Sequence, residues 1–465
     1  MSKVDTLGVP QANIQFAIGS YQQSNNTYSC GNSKLLNGIL KDELGFQGFV
    51  QSDWLAERNG VGAVLSGLDM TMPGDGVKWA DGISLLGPEL TKAVLNTTVP
   101  LERLNDMATR IVAAYFQVNQ DKHFGIDKNP PNFSSWTREK IGLIYYGSGE
   151  GVKGVVNKFV QVQEDHGDVA RKIAAEATVL VKNEGSILPL KRGGVWKGKK
   201  VGVYGEDAGP GKGPNFCKDR GCNQGTYVYH PHSDFYSWIS YTNYYFCHVY
   251  SLASGWGSGA VEFPYLVTPL AALTTAFNST PAEYSETSPE LTSILTNTKF
   301  DDISTSAVSQ DLCLVFINSD AGEGFVADLG VKGDRNDLFA QKSGDKLVLT
   351  VAEKCENTVV VIHSVGPVVV EKWADHKNVK AIIYAHLPGQ ESGNALVDVL
   401  FGDVNPSGKM PYTVGKKLED YGPGAKVLYY PNGIIPQQDF SEGLYVDYRW
   451  FDKVLTYSPS PFSYP

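Results

Sequence analysis

The sequence predicts an α/β protein built on parallel sheet, and three observations carry that prediction. Amphipathic helix patterns alternate with short apolar runs between residues 33 and 119. Beyond residue 166 the apolar runs become unbroken Val- and Ile-rich stretches separated by helical patterns. Such stretches mark strands buried on both faces, as in a sheet covered by its own crossover helices. Between the two regions lies a stretch of little periodicity that contains Asn129-Pro130-Pro131.

Taken in order, Ser33 begins a helix with Leu35, Leu36, Ile39, Leu40 and Leu44 at 3–4 spacing, and Gly45 closes it. A strand is expected from Phe46 to Val50, leading to Asp53, and a second strand-like piece, Gly67 to Gly74, follows a short helix. Pro100 opens a long helix whose apolar stripe is Leu101, Leu104, Met107, Ile111, Val112 and Tyr115. Residues 120–165 read as a linker. Residues 166–415 form the second α/β region, with strands at Ala177–Val181, Lys200–Gly205, Leu312–Asn318, Thr358–His363 and Val379–Tyr384. The last strand runs through Pro388-Gly389-Gln390-Glu391-Ser392-Gly393-Asn394 into a helix carrying Leu396, Val399 and Leu400. This is a doubly wound pattern, with functional loops at the C-terminal ends of the strands. Residues 227–250 are crowded with aromatics, among them Tyr229, Phe235, Tyr236 and Trp238, and have no strand or helix period. Residues 416–465 read as a tail.

Composition bounds the function. The 465 residues suffice for two or three cored domains, and 42% apolar with 19% charged residues is a globular balance. A net charge of -10 argues against nucleic acid and anionic membrane as partners, and leaves neutral ligands such as sugars. No stretch is long and apolar enough to span a bilayer, and the N-terminus shows no signal peptide. Asn-x-Ser/Thr triplets at Asn25, Asn96, Asn132 and Asn278 are compatible with secretion. Cys217 and Cys222 bracket a turn-like stretch and read either as a tight-loop disulfide or as two thiols. Beside Cys217 and Cys222 no second Cys or His pair stands at zinc-ligand spacing, and no metal or organic cofactor is implied.

The chemistry concentrates in two segments, Gly48-Phe49-Val50-Gln51-Ser52-Asp53-Trp54 and Phe316-Ile317-Asn318-Ser319-Asp320-Ala321-Gly322-Glu323-Gly324. Each is a strand-like run ending in acidic residues, and a carboxylate at a strand end is held by the sheet yet open to a crevice. Two carboxyl groups about 5–5.5 Å apart, one ionised and one protonated, are the equipment for retaining cleavage of a glycosidic bond. Blander roles compete: Asp53 as a helix N-cap, Glu323 as a solvated loop carboxylate, Trp54 as core. Glu391 reads as a helix cap, and His363 and His386 as satisfied core or loop histidines. Asp334 and Arg335 read as an ion pair or loop brace.

These motifs resemble the family 3 glycoside hydrolases, especially the fungal β-glucosidases, from about Phe16 to Asp452. The resemblance rests on Ser20-Tyr21, the run from Leu40 to Val50 with Ser52-Asp53-Trp54, and Gly67-Leu68-Asp69-Met70. It continues through Gly255-Trp256-Gly257-Ser258-Gly259, Gly322-Glu323-Gly324, Gly333-Asp334-Arg335, Pro388 to Asn394 and Phe440-Ser441-Glu442-Gly443-Leu444. It implies a partial (β/α)8-type barrel over residues 1–119, of which only the C-terminal portion is present, followed by an α/β sandwich with a mostly parallel sheet. It further implies retaining hydrolysis of terminal β-D-glucosyl residues from cellobiose and other small β-glucosides, outside the cell. Carried over residue by residue, Asp53 matches the nucleophile and Glu323 the acid/base, while Tyr21, Trp54 and Ser258 fall on positions that line the glucose pocket.

The chain departs from the family pattern in four places. The earlier barrel strands are missing, and the chain stops where a fibronectin-like domain would begin. Gly19 and Gln22 stand where Cys and Asn are usual, and residues 227–250 interrupt an otherwise continuous run as a translated intron would. The simplest expectation that these departures raise is an incomplete or mis-spliced gene model. The departures leave two competing expectations: a catalytically inactive remnant or carbohydrate-binding fragment, and a family 3 enzyme acting on xylosides or N-acetylglucosaminides.

Overall fold

The computed structural model describes residues 16–74, 85–123, 134, 137, 139–144, 151–158, 163–209, 251–255, 263, 265–278, 288–321, 335–425, 434 and 439–454. These fall in two units, which meet in sequence at Gln163.

In the first unit, strands β1 (Phe16–Gly19), β4 (Phe49–Trp54) and β5 (Met70–Met72) form a parallel sheet in the order β1-β4-β5. Between the first two lies a hairpin of β2 (Gln23–Ser24) and β3 (Thr27–Tyr28), turned by Asn25 and Asn26, both at positive φ. Asparagine tolerates that conformation better than other side chains. The helix expected after Ser33 spans Lys34–Glu43 with π winding, and Gly45 follows it at φ 66°. Its Leu36 joins Cys30, Val50, Ala56, Ala63 and Leu68 in a small core.

Two expectations change here. The strand begins at Phe49, not Phe46, because the carbonyls of Phe46 and Gly48 accept hydrogen bonds from the Arg110 guanidinium instead of a ladder partner. The helix expected after Pro100 is present as Leu101–Gln117, yet its stripe is largely uncovered. Met107 is buried while Leu101, Val112 and Tyr115 are exposed. Residues 120–165, read as a linker, contain a short helix Gln120–His123 and an antiparallel ribbon of β6 (Ile141–Leu143) and β7 (Lys153–Val155).

The second unit holds a six-stranded sheet of β8 (Val179–Asn183), β9 (Lys200–Tyr204), β10 (Glu290–Ile294), β11 (Leu312–Ser319), β12 (Thr358–Ser364) and β13 (Val379–Tyr384). Its order is β10-β9-β11-β12-β13-β8, all pairs being parallel except β13 with β8. Alternate residues of β11 serve two cores. Cys313, Val315 and Ile317 pack with the helices Phe300–Ala307 and Gly344–Ala352 on one face. Leu312, Leu314 and Phe316 pack with Pro269–Asn278 and Ser392–Leu400 on the other. Burial on both faces is why the strands read as unbroken apolar runs.

The first strand of this unit runs from Val179 rather than Ala177, since the helix His166–Ala177 continues through Ala177 and Thr178 donates its hydroxyl to the Ala174 carbonyl. Strand β10 escapes the sequence reading because, at the sheet's edge, it carries polar Glu290, Thr292 and Ser293. A disulfide joins Cys313 to Cys355, two cysteines to which the sequence reading assigns no partner. Cys217 and Cys222 lie outside the described residues, as does the aromatic stretch 227–250. No helix among the described residues is long and apolar enough to cross a membrane.

Candidate active site

The position of Asp53 is set by a buried network of charges behind the first sheet. Asp69 is buried, and both its oxygens lie 2.9 Å from Lys41 Nζ. Arg103 Nη2 is 2.7 Å from Asp69 Oδ1, and Val50 N–H donates to Oδ2 at 2.8 Å. Burial pushes the Lys41 ammonium below its usual pKa range, against the opposing pull of Asp69. Farther along the strand the Ser52 hydroxyl accepts the Met72 N–H at 2.8 Å, tying β4 to β5 one residue before Asp53. Asp53 is thus the penultimate residue of a strand locked from both sides.

Around the carboxylate, Oδ1 accepts the Tyr21 hydroxyl at 2.9 Å and the Trp54 N–H at 2.6 Å. Oδ2 has no hydrogen-bond partner among the described residues. Tyr21 and Trp54 are 50% and 41% exposed, so both rings are open to a ligand, and core is not the role of Trp54. The N-cap role for Asp53 is also removed: the next helix is Val61–Leu65, with Gly60 at its N-cap. The structure therefore brings three of the five expected site residues together. Glu323 and Ser258 lie outside the described residues.

One carboxyl group near Asp53 escaped the sequence reading. Glu57 is buried, its Oε1 accepting the Asn59 and Gly60 N–H groups at 2.6 and 2.5 Å, and burial raises its pKa. Its only sequence signal is a Glu four positions past Asp53.

Cys30 is buried and free, and burial pushes its thiol up to about 11, with the charges of Glu57 and Asp53 adding to the shift. A Cβ built on Gly19 would lie 2.6 Å from its sulfur and 3.7 Å from its Cβ. The second distance is that of a disulfide. Gly19→Cys is expected to pair with Cys30 and, because the loop so closed is short, to stabilise the chain by only about 2–3 kcal/mol. The urea midpoint should rise for the oxidised variant and return on reduction. An unchanged midpoint with both thiols titratable would show that the two positions do not pair.

In the second unit, the parallel strands counted from β9 run 2-1-3-4-5, so the winding reverses between β9 and β11. Open α/β sheets bind ligands at the strand C-termini beside such a reversal. Gly205, at φ 108°, ends β9 where a Cβ would meet the Phe316 carbonyl oxygen at 2.2 Å. That close approach brings Asp207 to the end of β11. Asp207 Oδ1 accepts the Leu252 N–H at 2.8 Å and the Asn318 side-chain amide at 3.0 Å, while Oδ2 lies 2.6 Å from His363 Nδ1. Asp207 and His363 are both fully buried. The expectation of a satisfied core histidine holds for Nδ1 but not for Nε2, which has no partner among the described residues.

His386 Nε2 pairs with the Tyr412 hydroxyl at 2.8 Å, as a loop histidine would. Glu391 is not a cap. It stands at the N-cap of the helix Ser392–Leu400, but its oxygens accept the Tyr265 hydroxyl at 2.6 Å and the Asn394 amide at 2.7 Å, leaving the helix N–H groups to others. Arg335 makes no ion pair among the described residues, its Nε and Nη2 lack hydrogen-bond partners there, and burial lowers its pKa. Asp334 lies outside them. Among the described residues no group of three or more His, Cys, Asp or Glu side chains could hold a metal ion.

Residues 178–448 match the glycosyl hydrolase family 3 C-terminal domain. The chain is 54% identical over 463 residues to a probable beta-glucosidase E of Neosartorya fischeri, covering 95% of this chain and 40% of that protein. It is 48% identical over 445 residues to beta-glucosidase 1 of Aspergillus aculeatus, covering 95% of this chain and 47% of that one. The solved structure of Chaetomium thermophilum beta-glucosidase superposes with a TM-score of 0.81 at 48% identity, covering 96% of this chain and 48% of that one. The chain thus spans less than half the length of these relatives.

Proposed function

The chain belongs to glycosyl hydrolase family 3, and from that premise we propose that it is a β-glucosidase, releasing terminal glucose from small β-glucosides with retention of configuration. The observation that carries the reading is the Tyr21–Asp53–Trp54 cluster. A carboxylate at a strand end has one oxygen held by two donors and the other without a hydrogen-bond partner among the described residues, and the residues that supply the donors have exposed rings.

In this mechanism Asp53 Oδ2 attacks the anomeric carbon while Glu323 protonates the leaving oxygen, giving a glucosyl ester and a free alcohol. Glu323, now a carboxylate, takes a proton from water, which attacks the same carbon and releases glucose and Asp53. Hydrogen bonds at Oδ1 orient the carboxylate so that its free oxygen faces the reacting carbon, and the Trp54 indole offers an apolar face to the sugar's C–H groups. Ser258 completes the pocket, and no metal or organic cofactor takes part.

The three parallel strands β1, β4 and β5 are compatible with the closing portion of a (β/α)8 barrel, with residues 1–119 as that portion, 120–165 as linker and 166–415 as the sandwich domain. A partner of small β-glucosides or oligosaccharides and an extracellular setting belong to the same proposal.

The test is to incubate the purified chain with 2-deoxy-2-fluoro-β-glucosyl fluoride and map the product by mass spectrometry. A fluoroglucosyl adduct on the peptide carrying Asp53 is expected. Absence of any adduct, together with no turnover of p-nitrophenyl β-glucoside, would favour the inactive remnant. Tyr21→Phe removes one of the two donors to Oδ1, a hydrogen bond to a charged group worth about 1.5 kcal/mol at a half-exposed site. Its kcat/KM on p-nitrophenyl β-glucoside should fall about 10-fold. A wild-type value would show that the bond orients nothing.

A further inference from the structure

We propose that the buried Asp207–His363 pair is a positioning device for the general acid, anchoring the roots of the two segments that carry Glu323 and Ser258; this rests on the β-glucosidase reading above. One carboxylate gathers four pieces of chain. Asp207 follows β9, His363 lies in β12, Asn318 lies in β11, and Leu252 lies in the segment 251–255. Asp207 accepts two N–H donors at Oδ1 and meets His363 Nδ1 at Oδ2, so both of its oxygens are engaged inside the fold.

The consequences run outward in sequence. Gln341 clamps the end of β11 further, accepting the Asp320 N–H at 2.9 Å and donating to the Asp320 carbonyl at 2.8 Å. Glu323 is three residues past Asp320, and Ser258 is six past Leu252. The two roots also lie against each other: a Cβ on Gly255 would meet the Ala321 carbonyl oxygen at 2.7 Å. Releasing Asp207 therefore loosens both roots together by removing one tether from each, at the point where the sheet's winding reverses. No side chain of the pair needs to touch substrate for this role.

Two readouts on the chain decide the proposal. Hydrogen exchange followed by mass spectrometry in His363→Leu should accelerate in residues 251–255 and 318–321, leaving β9 and the remainder of β12 protected as in the parent. The second readout is leaving-group dependence of kcat/KM, which reports the first step alone, where a misplaced acid matters only if the leaving group needs a proton; loss of the base in the second step shows in kcat instead. The kcat/KM for cellobiose should fall about 100-fold. The kcat/KM for 2,4-dinitrophenyl β-glucoside, whose phenolate leaves unaided, should fall less than about 5-fold.

Equal losses on both substrates, or exchange that rises across the sheet or in neither segment, overturn the proposal. If His363→Leu does not fold by circular dichroism, Asp207→Asn carries the same two readouts with the same expected results. If the chain turns over neither substrate, the β-glucosidase reading has failed, and the exchange pattern alone decides whether the pair anchors the two roots.

Discussion

Asp53→Asn should reduce turnover of p-nitrophenyl β-glucoside on the order of 10⁴-fold, roughly 5.5 kcal/mol of barrier. The amide keeps the size of the carboxylate, and its carbonyl oxygen can still accept the Tyr21 hydroxyl and Trp54 N–H, which now meet at Oδ1. What it loses is the charge that forms the glucosyl ester, so the first chemical step stops while the fold around β4 persists. The variant's thermal midpoint should stay within about 2 °C of the parent, consistent with a surface-like substitution of under 0.5 kcal/mol. Residual activity within 10-fold of the parent would remove Asp53 from the mechanism.

Asp69→Asn is expected to cost about 3–5 kcal/mol of stability, the penalty for stranding buried charge. Lys41 and Arg103 both converge on this carboxylate, with side chains 7% and 14% exposed, and Asp69 itself is fully enclosed. An amide removes the carboxylate that Lys41 meets and one of the two that meet Arg103, whose Nη1 also pairs with Asp106 at 2.7 Å, and leaves two cations beside an uncharged group in a small core. The urea midpoint of the first unit should fall accordingly, and a loss below 1 kcal/mol would show that the two cations find other partners. Because Asp69 also holds the Val50 N–H, the surviving folded fraction should lose activity as well.

How much of this was legible in advance depends on the kind of signal each element left. The parallel second sheet was readable because strands buried on both faces leave unbroken apolar runs, as in Leu312–Ser319 and Thr358–Ser364. The edge strand β10 was not, since it packs with few apolar residues and its sequence resembles a loop. The helix Leu101–Gln117 and its apolar stripe were legible, but the stripe's exposure was not, because periodicity states which face is apolar, not what covers it. Asp69 was legible as a motif residue but not as the charge behind β4, because its partners Lys41 and Arg103 are 28 and 34 positions away. Glu391 was misread for a related reason. Its place at a helix start is local, whereas its acceptance of the Tyr265 hydroxyl, 126 positions away, is not.

By itself the sequence determined the α/β class, from local patterns of spacing and residue type, and the family, from its motifs; it is the resemblance to that family that marks Asp53 as the candidate nucleophile. Only the tertiary structure decided which oxygen of Asp53 is held and which is open, that Asp69 and Arg110 set the start and lock of β4, and that Asp207 joins His363, Asn318 and Leu252 at the winding reversal. The physical reason is common to all of these. Hydrogen bonds and ion pairs between residues far apart in sequence form only when packing closes the chain, and nothing in local composition encodes which distant partner a buried charge will meet.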